Sequence, residues 1–136
     1  MTDVVAERHL AAPPDAVWEA LTSAQALRSW FWPPHLATEA EVEPGDGYRI
    51  ASPVAEMAVS GPYLTFSGPE LLEFGWQWDG EDVMSTVVIS LTARDGGTDL
   101  ALTHSGLAES EVGSHVQGWS DCLDRLPGYL AAPAAQ

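Results

Sequence analysis

His104 is the side chain in this sequence best suited to moving a proton. An imidazole titrates near neutrality, so it can serve as general acid or base or orient a polar ligand group. It ends a segment whose alternation puts Leu100, Leu102 and His104 on one face. Glu56 and Glu70 are the nearest acids that a cyclase-like or hydrolase-like reaction would enlist beside it, and the patterning turns neither clearly inward. The plainer role for His104 is a buried histidine bonded to the backbone at a strand-to-helix turn. Other chemistry is thin. Ser105-Gly106 reads as a turn, with no GxSxG elbow around it, and neither GxGxxG nor a phosphate loop occurs. The histidines His9, His35, His104 and His115 show no HxH or HxxxH spacing, and Cys122 has no second thiol. No metal and no cofactor is therefore expected, and no catalytic residue is assigned. Cys122 reads as an inert buried thiol, seven residues after His115, with both near a cavity edge. Arg49 either counters a ligand carboxylate or pairs with a neighbouring acid.

The rings carry more information. Trp30-Phe31-Trp32-Pro33-Pro34 and Phe74-Gly75-Trp76-Gln77-Trp78 are aromatic-rich, and Gly118-Trp119 follows late in the chain. Such rings either fill a core or line a pocket for a flat apolar ligand, and the two roles overlap. Trp30, Phe66, Trp76, Trp78, His104 and Trp119 form the expected ligand-binding set.

The elements that must position these residues follow from period and punctuation. Val4 to Leu10 is a strand. Pro13-Pro14-Asp15 opens a helix containing Val17, Trp18 and Leu21, and Thr22-Ser23 caps a second one carrying Leu27, Trp30 and Phe31. Pro33-Pro34 ends it. The period then changes to two. Glu39 to Glu43 reads as a polar edge strand, followed by strands at Tyr48 to Ala51 and Met57 to Phe66, the latter with a bulge or bend at Gly61-Pro62. Further strands span Leu71 to Trp78, Thr86 to Ala93 and Thr98 to His104. Leu72, Phe74, Trp76 and Trp78 share a face. Val112, Val116, Trp119, Leu123, Leu126 and Leu130 make the apolar stripe of a long helix, which Pro127 should end or kink. Ala131 to Gln136 reads as a frayed tail. Short turns imply an antiparallel meander whose apolar face the long helix covers.

Length and charge bound the function. The chain has 136 residues, the size of one domain, with 46% hydrophobic residues. It carries 20 acidic residues against five arginines and no lysine, a formal net charge of −15. Such a surface repels phosphate backbones and anionic headgroups, so neither nucleic acid nor membrane is an expected partner. The single cysteine fits a reducing compartment, and Met1-Thr2-Asp3-Val4 has no basic-then-apolar leader pattern. A cytoplasmic monomer or homodimer is expected.

Several short segments, in order and spacing, carry a resemblance. They are Val17-Trp18-Glu19-Ala20-Leu21-Thr22, Leu27-Arg28-Ser29-Trp30-Phe31, Val42 to Tyr48, Ser60-Gly61-Pro62-Tyr63, Leu71 to Trp76, Gly97-Thr98-Asp99-Leu100, His104-Ser105-Gly106-Leu107 and Gly118-Trp119. With these the chain resembles the START-like, helix-grip (SRPBCC) superfamily of polyketide cyclases and the birch pollen allergen. Within it, the chain is most similar to the bacterial branch related to the activator of heat-shock-protein-90 ATPase. The branch usually shows a double glycine where this chain has Gly45-Asp46-Gly47. The resemblance implies an α+β helix-grip fold: a curved antiparallel seven-stranded sheet wrapped around a long C-terminal helix, with two short helices after strand 1. It also implies a cavity between sheet and helix. It does not fix a chemistry, because members bind, transport, cyclise or assist other proteins. The expected function is a small-molecule binding protein for a hydrophobic or aromatic ligand. The alternatives are an enzyme using His104 and a chaperone-assisting interaction module.

Overall fold

The computed structural model describes residues 2–131. Strand β1 is Val4–Leu10. Helix α1 (Pro14–Thr22) begins with proline, where an amide would lack a partner anyway, and Asp15 sits at its positive end. Ser23 starts α2 (Ala24–Trp30) by accepting from the Ala26 N–H at 3.3 Å. After α2 the prolines permit only a single 3-10 turn, Pro34–Leu36. Strands β2 (Glu39–Glu43), β3 (Gly47–Ser52), β4 (Met57–Ser67), β5 (Leu71–Trp78), β6 (Ser85–Arg94) and β7 (Gly97–Ser105) then follow, and α3 (Glu109–Ala131) is last.

The strands form one seven-stranded antiparallel sheet in the order β1-β7-β6-β5-β4-β3-β2. The meander runs from β2 to β7, and β1 joins its far side. The polar strand β2 is indeed an edge. This is the α+β helix-grip arrangement, with α3 lying against β1 and against both short helices. Val17, Leu72, Ile89, Leu100, Leu102, Leu123 and Leu126 are almost wholly buried between sheet and helices. No helix among the described residues is long and apolar enough to cross a membrane.

Four local expectations are corrected. The irregularity in β4 is not at Gly61-Pro62; its register against β5 shifts just afterwards, between Tyr63 and Thr65. Gly61 serves another need. It lies so close to Gly75 that a Cβ there would overlap the Gly75 carbonyl, so β4 and β5 approach through bare backbone. Pro127 does not end α3. It removes one helical hydrogen bond, but Leu126 before it is fully buried and Tyr129 and Leu130 after it pack on the core, which keeps the last turn helical. Ala131, read as the start of a tail, is helical, and residues 132–136 lie outside the described ones. Val116 is 50% exposed rather than part of the buried stripe. It sits about 60° around the helix from Trp119, whereas His115 lies about 40° away on the other side.

Candidate functional site: an aromatic cleft between β5 and α3

Two of the spaces beside α3 share a wall, and their sizes separate their roles. The inner one is about 30 Å³ and is lined by residues including Leu27, Trp30, Tyr48, Tyr63, Phe74 and Leu123. That holds a water molecule or two and no organic ligand. The outer one is a cleft of about 310 Å³, within the range of small-molecule sites. Phe31, Trp76 and Trp119 border both spaces, so these three rings form the partition between them. They meet one another at centroid distances of 6.3, 5.0 and 6.0 Å. Trp32, Pro33 and Trp78 wall the cleft on the sheet side, and His115, Gly118, Cys122 and Arg125 wall it on the α3 side.

Each wall is held by an identifiable contact. Alternation along β5 turns Trp76 and Trp78 to the α3 face, Trp76 buried and Trp78 half-buried at the strand end. Trp32 follows α2 directly and lies parallel to Trp78, at 8° and 6.3 Å between centroids. Arg125 fixes this segment. Its Nε donates to the Trp30 carbonyl at 3.0 Å and its Nη2 to the Phe31 carbonyl at 2.6 Å, so α3 caps the open C-terminal end of α2. Trp78 Nε1 donates to His115 Nε2 at 3.3 Å. An indole can only donate, so His115 carries its proton on Nδ1 and gives it to the Glu111 carbonyl, 2.9 Å away. At Gly118 an added Cβ would meet nothing within 4 Å, so the missing side chain is open space in the cleft wall.

His104 is fully buried behind the partition, and its hydrogen bonds define its state. Trp119 Nε1 donates to His104 Nδ1 at 2.9 Å. The ring proton must therefore sit on Nε2, which donates to Ser85 Oγ at 2.7 Å. Ser85 in turn donates to the Trp76 carbonyl at 3.2 Å. Burial first, and the neighbouring His115 second, pull the His104 pKa down to about 4. Both ring nitrogens are engaged, and the cation is disfavoured. This is a lock that ties α3 to β5, β6 and β7. Its partners are side chains, not the backbone partner expected of a buried histidine at this turn.

The expected site residues therefore divide. Trp30 reaches the inner space and donates its Nε1 to the Ala20 carbonyl at 2.9 Å. Trp76 and Trp119 belong to the partition, and Trp78 to the cleft. His104 and Phe66 border neither; Phe66 packs at the other end of the sheet, 5.1 Å from Trp18 and 4.8 Å from Tyr63. Glu56 and Glu70 are exposed. Arg49 pairs with Asp79 through two hydrogen bonds of 2.9 and 2.7 Å, which hold the Asp79 carboxyl below its usual range. Cys122 is buried in the cleft wall, and burial pushes its thiol up to about 12. Among the described residues no group of three or more His, Cys, Asp or Glu side chains is placed to hold a metal. Sequence reasoning left Phe31, Trp32, Ser85 and Arg125 out of the site. Trp32 had a signal, since it stands just before the prolines that swing the chain out of α2. Arg125 had a weaker one, as the single cation of an otherwise acidic helix.

The sequence model of the family described as Activator of Hsp90 ATPase homolog 1-like protein matches residues 11–131. No curated protein matches the chain. Among solved structures, protein CV1439 from Chromobacterium violaceum is similar at a TM-score of 0.82 and 20% identity, covering 98% of this chain and 100% of that one. DynU16, described as a protein in the dynemicin biosynthetic locus, is similar at 0.80 and 26% identity over 94% of this chain and 46% of its own. CalU16 from Micromonospora echinospora is similar at 0.74 and 25% identity, covering 95% of this chain and 76% of that one.

Proposed function

The chain belongs to the Activator of Hsp90 ATPase homolog 1-like family, and we propose that within it this protein binds a small hydrophobic or aromatic molecule without transforming it. The observation that carries this reading is the cleft of about 310 Å³ whose walls include Phe31, Trp32, Trp76, Trp78 and Trp119. Ring faces supply apolar area, and of the two spaces that Phe31, Trp76 and Trp119 divide, only the outer one has room for a ligand. The similarity to DynU16, from a biosynthetic locus, accords with a small-molecule ligand. An enzymatic role for His104 is less well supported. Trp119 occupies the lone pair that a general base would use, and the other ring nitrogen is taken by Ser85.

The test is a melting-temperature screen against flat apolar compounds, run in parallel on the wild type and Gly118→Leu. A ligand at one hundred times its dissociation constant adds ~2.7 kcal/mol of stability. The leucine projects into open space, so it fills the cleft without touching the core. Wild-type stabilisation that Gly118→Leu abolishes is the expected result. Stabilisation unchanged in Gly118→Leu, or none with any compound, would sink the reading.

A further inference from the structure

Trp78 stands between three spaces. It borders the outer cleft, a space of about 360 Å³ reaching Val83 and Leu107, and another of about 340 Å³ reaching Glu56 and Met57. His115 borders the first and the last of these. The Trp78 ring is half-buried at the end of β5, edge-on to Trp76 at 5.4 Å and parallel to Trp32. One hydrogen bond, from its Nε1 to His115 Nε2 at 3.3 Å, ties it to α3. That bond needs a bare Nε2, because an indole can only donate. The other imidazole nitrogen already gives its proton to the Glu111 carbonyl at 2.9 Å. A proton added to His115 must therefore land on Nε2. There it replaces the lone pair that holds Trp78 and sets two N–H groups against each other.

The groups around His115 favour a proton on it. Glu111 of α3, Asp79 and Glu81 after β5, and Glu56 before β4 share the third space with it. Arg49 neutralises Asp79, whereas Glu56, Glu81 and Glu111 enter no ion pair among the described residues. Across the cleft Asp121 offsets Arg125, and Trp32 and Pro33 bring no charge. From β7 the His104 ring lies 5.2 Å away. Burial, and then His115, hold the His104 pKa down to about 4, so above about pH 5 only His115 of the two gains charge. We propose that His115 and Trp78 form a proton-operated latch: the neutral imidazole holds Trp78 in the cleft wall, and protonation of His115 frees the ring and opens the cleft to the spaces beside it. The latch is a property of the unliganded protein. Its consequence, release of ligand in acid as the Trp78 wall is lost, rests on the ligand-binding reading above.

His115→Gln isolates the proton, since its amide can accept from Trp78 and donate to the Glu111 carbonyl at every pH. The first measurement is nuclear magnetic resonance of both proteins, labelled with nitrogen-15 at tryptophan and histidine, from about pH 8 to about pH 5. In the wild type the Trp78 indole resonance should shift, and its exchange with water should quicken, in step with protonation of His115 Nε2. In His115→Gln the indole should stay in place. The second measurement is calorimetry with fluorenone, which has no titrating group. Wild-type affinity should fall about tenfold across this range, and that of His115→Gln should hold. An indole that ignores the charging of His115, a His115 that stays neutral throughout, or the same indole shift in His115→Gln would overturn the latch. A moving indole with constant fluorenone affinity would overturn its control of the cleft. Fluorenone binding at no pH would count against the ligand-binding reading, while the indole resonance still decides the latch.

Discussion

The same sheet face carries aromatic clusters at its two ends, and only one of them leaves a cleft. At the closed end Phe66, Tyr63, Tyr48 and Phe74 interlock edge to face, and Trp18 of α1 closes over Phe66. The Trp18 ring lies on the bare backbone of Gly68, where any Cβ would strike it. The Tyr48 hydroxyl is tied to the backbone of β5. At the open end Trp76, Trp78 and Trp32 are as large and as aromatic. Their cover is α3, which brings Trp119 against Trp76 but presents only His115 and Gly118 beside it on the turn before, leaving the cleft open there. Trp78 is tied to a helix side chain rather than to a strand backbone. Ring content does not distinguish a core from a binding wall. What distinguishes them is what covers the rings and where their polar atoms are anchored.

The sharpest test of this contrast is Phe74→Ala. Phe74 is buried and packs edge-on against Tyr48 at 5.2 Å. Truncation should destabilise the protein by ~3–5 kcal/mol, because a closed cluster cannot collapse into the gap. Urea unfolding measures the change. A loss below ~1 kcal/mol would mean that the closed end is loosely packed and that the two ends differ less than their geometry shows.

The closed end and the sheet were legible in the sequence because they follow from periodicity. Leu72, Phe74 and Trp76 alternate on β5, and Trp119, Leu123 and Leu126 recur at helical spacing; all are buried. The site was legible only in part. Phe66 is on an inward-facing stretch of β4, but inward-facing says nothing about which end of the sheet a ring reaches. Trp32 lies outside any periodic element, so no period could place it. The acceptor for His104 could not be read from spacing, since Trp119 and Ser85 come from elements that meet only in three dimensions. Val116 shows the same limit, because a four-and-three spacing admits a residue at the margin of the stripe, about 60° from Trp119, that the core does not cover.

The His104 lock ties α3 to β5, β6 and β7 behind the open end, and pH probes it. Unfolded, His104 takes up its proton near 6.5; folded, near 4. Between those values the unfolded chain binds more protons, so stability falls as pH drops through this window. The contribution is complete above about pH 6.5, and ~3 kcal/mol of it is gone by pH 4. Glutamine at position 104 can still donate and accept but does not titrate. Urea unfolding at a series of pH values should therefore show a steeper acid loss in the wild type than in His104→Gln. Parallel curves for the two proteins would mean that His104 is not held neutral.

The smallest stability effect is expected at Trp78, and it is the one that decides whether the open end binds. Trp78 is half-buried at the strand end, with its N–H on His115 and its face along Trp32. Its removal exposes rings that already border the cleft, so the surroundings lose little packing, and Trp78→Ala should cost only ~1 kcal/mol. Yet it takes away one wall of the cleft, so affinity for a flat probe such as fluorenone should fall about tenfold. Phe66→Ala provides the opposite case. It should cost ~2–3 kcal/mol through lost packing against Trp18 and Tyr63 while leaving affinity unchanged. Measuring unfolding and binding on both variants gives a crossed pattern if the ends differ as their covers do. If Trp78→Ala binds like the wild type, Trp78 is core at the sheet margin and the cleft has only its partition left as a wall. If Phe66→Ala loses affinity as well as stability, the two aromatic clusters act as one cavity, and the closed end opens to admit the ligand.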